Sequence, residues 1–247
     1  MMRIRILHCP EMFAGNAQQL ARAERELGLE SWAVSFVQRP FNYETDEVVW
    51  AKGDNALMRE IKRWRLLWRA IKDFDIIHFN FGQSIMFYWF AENETTRNKS
   101  VLWKVYRFYS CLFNLCDLPL LKRAGKGIIV TYQGDDARQG DFCRANFEIN
   151  PANEVEPGYY SSKFDTHKRF CIKKFAKYAD RIYALNPDLL WVLPTHAQFL
   201  PYGHIDLRDW QFVNSGNLDS KIAVIVHAPS HRGVKGTKYI LSLIHIS

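Results

Sequence analysis

The chain has 247 residues, 48% of them hydrophobic and 15% aromatic, and its 13 Gly and 9 Pro are too few for disorder, so a packed interior is expected. A formal net charge of +7 favours an anionic partner: a phosphate-bearing ligand, an anionic membrane surface or a nucleic acid. The five cysteines (Cys9, Cys111, Cys116, Cys143, Cys171) are scattered without CxxC spacing, which argues against a disulfide framework and a zinc site and makes a reduced, cytoplasmic setting the expectation.

At roughly 100–200 residues per domain, the length suits one complete α/β unit and a remainder. Residues 1–10 reach Cys9 and Pro10 after an apolar run too brief for a signal-peptide core, so export is not expected. The most apolar stretch, Val101 to Leu121, is interrupted by Lys104, Arg107 and Asp117 and broken at Pro119, so it reads as a buried or surface-lying helix and not a membrane span.

Arg3 to Cys9 has strand character, and the loop PEMFAG leads into NAQQLARAERELG. There Asn16 with Gln19 resembles a capping box, Leu20, Ala23 and Leu27 share a face, and Gly28 ends the helix. Ser31 to Val37 follows as a second strand. Strand, Gly-containing loop, helix and strand open a doubly wound α/β domain, in which ligands gather at the carboxyl ends of the strands. The Gly15-Asn16 step could approach an anion there, although the full GxGxxG is absent.

From Leu57 to Lys72 apolar residues recur at Leu57, Ile61, Trp64, Trp68 and Ile71, with Arg59, Lys62, Arg63, Arg65, Arg69 and Lys72 on the other side. This basic amphipathic helix is read as packed, with a solvated cationic face, or as attached to anionic headgroups. Asp165 to Ala179 repeats the arrangement, with Cys171, Phe175 and Tyr178 inward. Asp75 to Asn80 (DIIHFN) is a third strand, and His78 near its carboxyl end is either a substrate contact or a hydrogen-bonded core residue.

After a helical stretch from Ser100 to Cys116, Lys126 to Gln133 (KGIIVTYQ) is a buried strand ending in GDD. Gln133, Gly134, Asp135 and Asp136 therefore sit where a strand emerges at the ligand face. Adjacent carboxylates there can accept hydrogen bonds from sugar hydroxyls, serve as a base, or cap a helix; two neighbouring Asp without a third ligand make a poor Mg²⁺ motif. Arg138 to Phe164 reads as a long ordered loop over the site. Asp180 to Leu185 is the next strand, NPDLLWVLP a short helix capped from Asn186, and Gln198 to Tyr202 a last strand before a polar, turn-rich linker.

Near the end, the apolar run Ile222 to Val226 opens through HAPSHRGVKGT (His227 to Thr237) into a helix start, which would place backbone N–H groups and two cations at one point, as a phosphate requires. The final SLIHIS mixes β-branched residues and His without a helical face. The chain is read here as a truncated piece with foreign last residues, a true helix end being the alternative.

Taken in order, DIIHFNFG, VTYQGDD, ADRIYALNPDLLWVLP, QFLPYG and HAPSHRGVKGT resemble the amino-terminal domain of retaining nucleotide-sugar glycosyltransferases of the GT-B fold, family 4-like. The resemblance implies an α/β, Rossmann-like doubly wound parallel sheet over 1–203, a linker at 204–220, and the first strand and helix start of a truncated donor domain at 221–247. It implies transfer of a sugar from a nucleotide-diphosphate sugar to a glycan or lipid-linked acceptor. No metal or bound cofactor is required; the nucleotide sugar is a co-substrate.

Carried over residue by residue, Arg232 and Lys235 resemble the pair that neutralises the donor diphosphate, and Gly15 the glycine of the first loop against it. Gln133, Asp135 and Asp136 take the catalytic position, and Asn16, His78 and Gly134 the acceptor side. Gln133 stands where many members have His, and an amide cannot act as a base, so it would position a hydroxyl. Arg232 and Lys235 are closer in sequence than is usual, and the acidic pair that grips the donor sugar would lie beyond Ser247. The expected setting is cytoplasmic, peripheral on the inner face of the membrane if the basic helices bind lipid. The rivals are a non-catalytic glycan- or membrane-surface-binding module of the same fold and a nucleic-acid binder, the latter disfavoured because the aromatics interleave with aliphatics and no recognition motif appears.

Overall fold

A computed structural model of the chain describes residues 3–11, 13–38, 44–88, 101–203, 205–209 and 226–243. It divides into two compact units, Met1–Arg138 with His167–His204, and Gln139–Thr166 with Ile205–Ser247. The segment after Arg138, expected to belong with residues 1–203, thus clusters with the residues that follow His204.

The first unit is a seven-stranded sheet in which every strand pair is parallel. Its strands are β1 (Arg5–Cys9), β2 (Glu30–Ser35), β3 (Glu47–Val48), β4 (Ile76–Asn80), β5 (Gly127–Tyr132), β6 (Arg181–Ala184) and β7 (Gln198–Phe199), in the order β3-β2-β1-β4-β5-β6-β7. This is the doubly wound, Rossmann-like arrangement that the sequence implies, and its direction of winding reverses between β1 and β4. The β-branched runs of β4 and β5 suit strands buried on both sides. The two-residue β3 escapes sequence reading because it is too short for any period.

Alternate strand residues (Leu7, Cys9, Ile77, Phe79, Ile128, Val130, Tyr132) enter the main core. They meet Leu66, Leu67 and Ala70 of α2 (Ala56–Asp73), Leu118 and Leu121 of α4 (Asp117–Arg123), and Phe175 of α6 (Ser162–Tyr178). Helix α2 is capped by Asn55, whose side chain accepts from Met58 N at 2.9 Å. The stretch 101–123 is two helices, α3 (Val101–Leu112) and α4, separated by Leu115 at φ 57°. Pro119 lies inside the first turn of α4, where the missing N–H costs nothing.

Two helix faces differ from expectation. Helix α1 (Asn16–Glu26) buries Ala17 and Ala21 against Ala33, while Leu20 and Leu27 are exposed, because only small side chains allow the helix to lie close on β1 and β2. No side chain caps it: Gly15, at φ 76°, is the N-cap, and Asn16 is its first helical residue. Helix α2 buries Leu66, Leu67, Ala70 and the neutralised pair Glu60–Arg63 (3.2 Å), and turns Leu57, Ile61 and Trp68 outward.

In the second unit, the expected long loop contains α5 (Gly140–Asn146) and a 3-10 turn, Pro151–Asn153. Cys143, Ala152 and Tyr160 form its small core. Asp165 accepts from Gly140 N and Asp141 N, both at 3.0 Å. Lys238 and Tyr239 of α7 (Thr237–Leu243) hold Glu154. Gly233 approaches Glu154 so closely that a Cβ there would lie 2.1 Å from its carbonyl oxygen. Residues 222–225 of the expected strand, and 204 and 210–220 of the expected linker, lie outside the described residues; Leu207–Asp209 is a 3-10 turn.

Candidate functional site

The sheet brings the carboxyl ends of β1, β4, β5 and β6 together, and the residues that follow them meet. Asn16, opening α1, donates from Nδ2 to Oε1 of Gln133 at 2.8 Å. That contact replaces the expected capping box: the Asn16 side chain reaches across the sheet end instead of back to its own helix.

Gln133 is held on every side but one. Its N–H donates to Asp136, its carbonyl accepts from Asn186 Nδ2 and from the Tyr202 hydroxyl at 3.3 Å, and its side-chain oxygen accepts from Asn16. The residue is only 8% exposed, yet Nε2 has no partner among the described residues. A buried amide N–H without an acceptor costs on the order of 1–3 kcal/mol, which a bound oxygen would recover. The amide stands beside an α1 terminus that no side chain caps, where backbone N–H groups and the helix dipole favour negative charge.

Asp136 folds back to accept from Gln133 N (3.1 Å) and Gly134 N (2.7 Å), so it orders the loop after β5. Burial outweighs these hydrogen bonds and pushes its carboxyl up to about 6. Asp135 pairs with Arg138 at 3.1 Å, and Arg138 also pairs with Asp188 at 2.8 Å, which fixes the outer wall of the loop. Both carboxylates are thus engaged within the protein.

His78 lies opposite His8 in register and is buried. The two Nδ1 atoms are 3.0 Å apart, His78 Nε2 is 2.7 Å from Thr131 Oγ1, and His8 Nε2 is 2.8 Å from Glu24 Oε2. Desolvation, then the neighbouring His8, lower the His78 pKa well below the ordinary value. Both ring nitrogens are therefore spent inside the sheet. Burial would raise the Glu24 carboxyl, but the hydrogen bonds from His8 and Ser31 and the charges of His8 and Arg25 bring it below its ordinary value.

At the point where the winding reverses, Phe13 after β1 packs on Phe81 after β4, ring centroids 3.8 Å apart. Phe81 has φ 66° and Gly82 φ 54°, and a Cβ on Gly82 would meet Tyr132 Cε1 at 2.6 Å. This loop is therefore bent sharply against β5.

The structure thus joins Gly15, Asn16, Gln133, Gly134, Asp135 and Asp136 at one end of the sheet, with His78 beneath them. Arg232 and Lys235 belong to the second unit. Both are exposed, and neither has a carboxylate within ion-pair distance among the described residues. Arg232 lines a cavity of about 480 Å³ with His227, Pro229, Thr237 and Ile240; His227 Nε2 is 2.9 Å from Thr237 Oγ1.

Sequence reading missed Asn186 and Tyr202 as partners of Gln133, and His8 as the partner of His78. Their signal was positional: Asn186 lies two residues past β6 at the sheet end where Gln133 follows β5, and His8 occupies in β1 the place that His78 occupies in β4. Among the described residues no group of His, Cys, Asp and Glu could hold a metal ion, and no helix is long and apolar enough to cross a membrane.

No protein-family model matches the chain, and no curated protein matches it in sequence. A UGT transferase from Siraitia grosvenorii, solved in complex with UDP, is similar in structure over 81% of this chain and 48% of its own, at 8% identity and a TM-score of 0.42. The chain spans about half the length of that protein.

Proposed function

We propose that the chain is part of a glycosyltransferase that moves a sugar from a nucleotide-diphosphate sugar to a glycan or lipid-linked acceptor, with retention. The observation that carries this reading is the unpartnered Gln133 amide beside the uncapped, glycine-led start of α1. Such a cluster of donors suits phosphate or sugar oxygens and offers no base.

In this reading the chain supplies the acceptor side, and a facing domain holds the donor sugar. Departure of a nucleoside diphosphate builds negative charge on its oxygens. Fixed cations lower that barrier, and Arg232 and Lys235, both exposed in the second unit, take this role. Gln133 Nε2 donates to an oxygen of the nucleotide sugar and so positions the acceptor hydroxyl beside it, and the leaving phosphate takes the proton of that hydroxyl, so no protein nucleophile is required. Asp136 and Asp135 act by positioning, since the first is committed to backbone N–H groups and the second to Arg138.

The test is a panel of nucleotide sugars offered to the 247-residue chain, read by ligand-observed NMR for binding and by diphosphate release for turnover. Binding with little or no turnover is expected. Robust turnover would show that no facing domain is needed, and absence of binding across the panel would remove the nucleotide-sugar reading.

A further inference from the structure

The outward stripe of α2 is not isolated. Leu57 and Trp68 are 71% and 66% exposed, and Phe108 on α3 is 72% exposed. Between the two helices runs an open groove of about 790 Å³ walled by Leu57, Ile61, Trp64, Trp68, Val105 and Tyr106. Its base is rigid, because Trp64 Nε1 donates to the Tyr109 hydroxyl at 2.6 Å and the Tyr106 hydroxyl to Glu60 at 3.0 Å. A continuous apolar surface of this kind on a soluble face marks an interaction site.

Among the described residues, the exposed charges on these two helices are cationic. Arg65, Lys72 and Lys104 are exposed on the same two helices. Of the acidic residues there, Glu60 is buried against Arg63, and Asp73 lies at the far end of α2. A second copy of the chain laid on this face would oppose like charges, which costs free energy unless counter-ions intervene. An anionic lipid surface meets both demands. It solvates aliphatic and aromatic side chains at the headgroup boundary, where Trp and Tyr are favoured, and it neutralises the flanking cations.

We propose that the α2–α3 face of this chain docks on an anionic bilayer surface. Leu57, Trp68 and Phe108 enter the headgroup boundary, and Arg65, Lys72 and Lys104 meet the lipid phosphates. The helices lie on the membrane and do not cross it.

The experiment is flotation of the 247-residue chain with phosphatidylcholine vesicles, with and without phosphatidylglycerol. The chain is expected to float only with the anionic vesicles and to be released by salt. Arg65→Gln with Lys72→Gln should lower partition by about thirtyfold, at about a factor of five per lost cation. Leu57→Ser with Trp68→Ser should lower it by about tenfold. All four side chains are exposed, so circular dichroism should be unchanged. The proposal is overturned by absence of flotation, by equal flotation on neutral vesicles, or by variants that float as well as the parent. A dimer in sedimentation that Leu57→Ser with Trp68→Ser dissociates would also overturn it, by assigning the face to a second copy.

Discussion

Asn16 and Gln133, 117 residues apart in sequence, share a buried hydrogen bond of 2.8 Å across the end of the sheet. The bond orients the Gln133 carboxamide, fixing which of its ends can face a ligand: Oε1 is taken, and Nε2 is left as a donor. It also ties the start of α1 to the loop after β5, so the two pieces of backbone that could touch an anion move together.

The buried pair His8 and His78 should behave as one unit in stability. Alanine at either position removes a hydrogen bond from a polar partner, Glu24 in one case and Thr131 in the other. A double-mutant cycle from urea unfolding is expected to give a coupling energy of about 1 kcal/mol or more. Because the folded pKa of His78 is depressed, its contribution is present above the ordinary His range near 6.5 and declines as pH falls and the unfolded chain takes up the proton. Additive single-mutant effects would contradict this coupling.

Asp136 has the opposite sign. Its carboxyl titrates near 6 in the folded chain against an ordinary 3.8, so its contribution is full below about pH 4 and is lost as pH rises through about 6. Across that window the parent should lose up to about 3 kcal/mol of stability relative to Asp136→Asn, at about 1.4 kcal/mol per pH unit. Urea midpoints of the two proteins at several pH values measure this. A difference that stays constant with pH would place the Asp136 pKa in the ordinary range.

Lys235 and Arg232 are exposed and have no carboxylate partner among the described residues, so their replacement should not cost folding stability. In the proposed role they neutralise a diphosphate. Lys235→Ala should then weaken nucleoside diphosphate binding by about fivefold, more at low salt than at high. Unchanged affinity at low salt would remove Lys235 from the phosphate site.

The sheet was legible because β4 and β5 are short β-branched runs bounded by Gly and Asp, and because Gly15 falls where α1 begins and Gln133 where β5 ends. The contact between Asn16 and Gln133 was not, since no local pattern records a pairing made by two strands brought side by side. The capping-box reading failed there because Gly15 is the N-cap and Asn16 the first helical residue, whose side-chain amide donates across the sheet end to Gln133. The α2 stripe misled for another reason. Arg63 and Glu60 neutralise each other, so their stems can be buried with Leu66 and Leu67, and the more apolar-looking side faces out. On α1 the inward positions are alanines, whose small size matters more for close packing than the hydrophobicity of Leu20 and Leu27.

The most direct measurement is a calorimetric titration of the nucleotide sugar that gives the strongest NMR response into the parent chain, Asn16→Ala and Gln133→Leu. Both variants should keep the parent's circular dichroism and bind about tenfold more weakly or worse, because each removes or frees the oriented amide. Binding of the same strength in all three proteins would contradict a ligand site at the junction of α1 and β5.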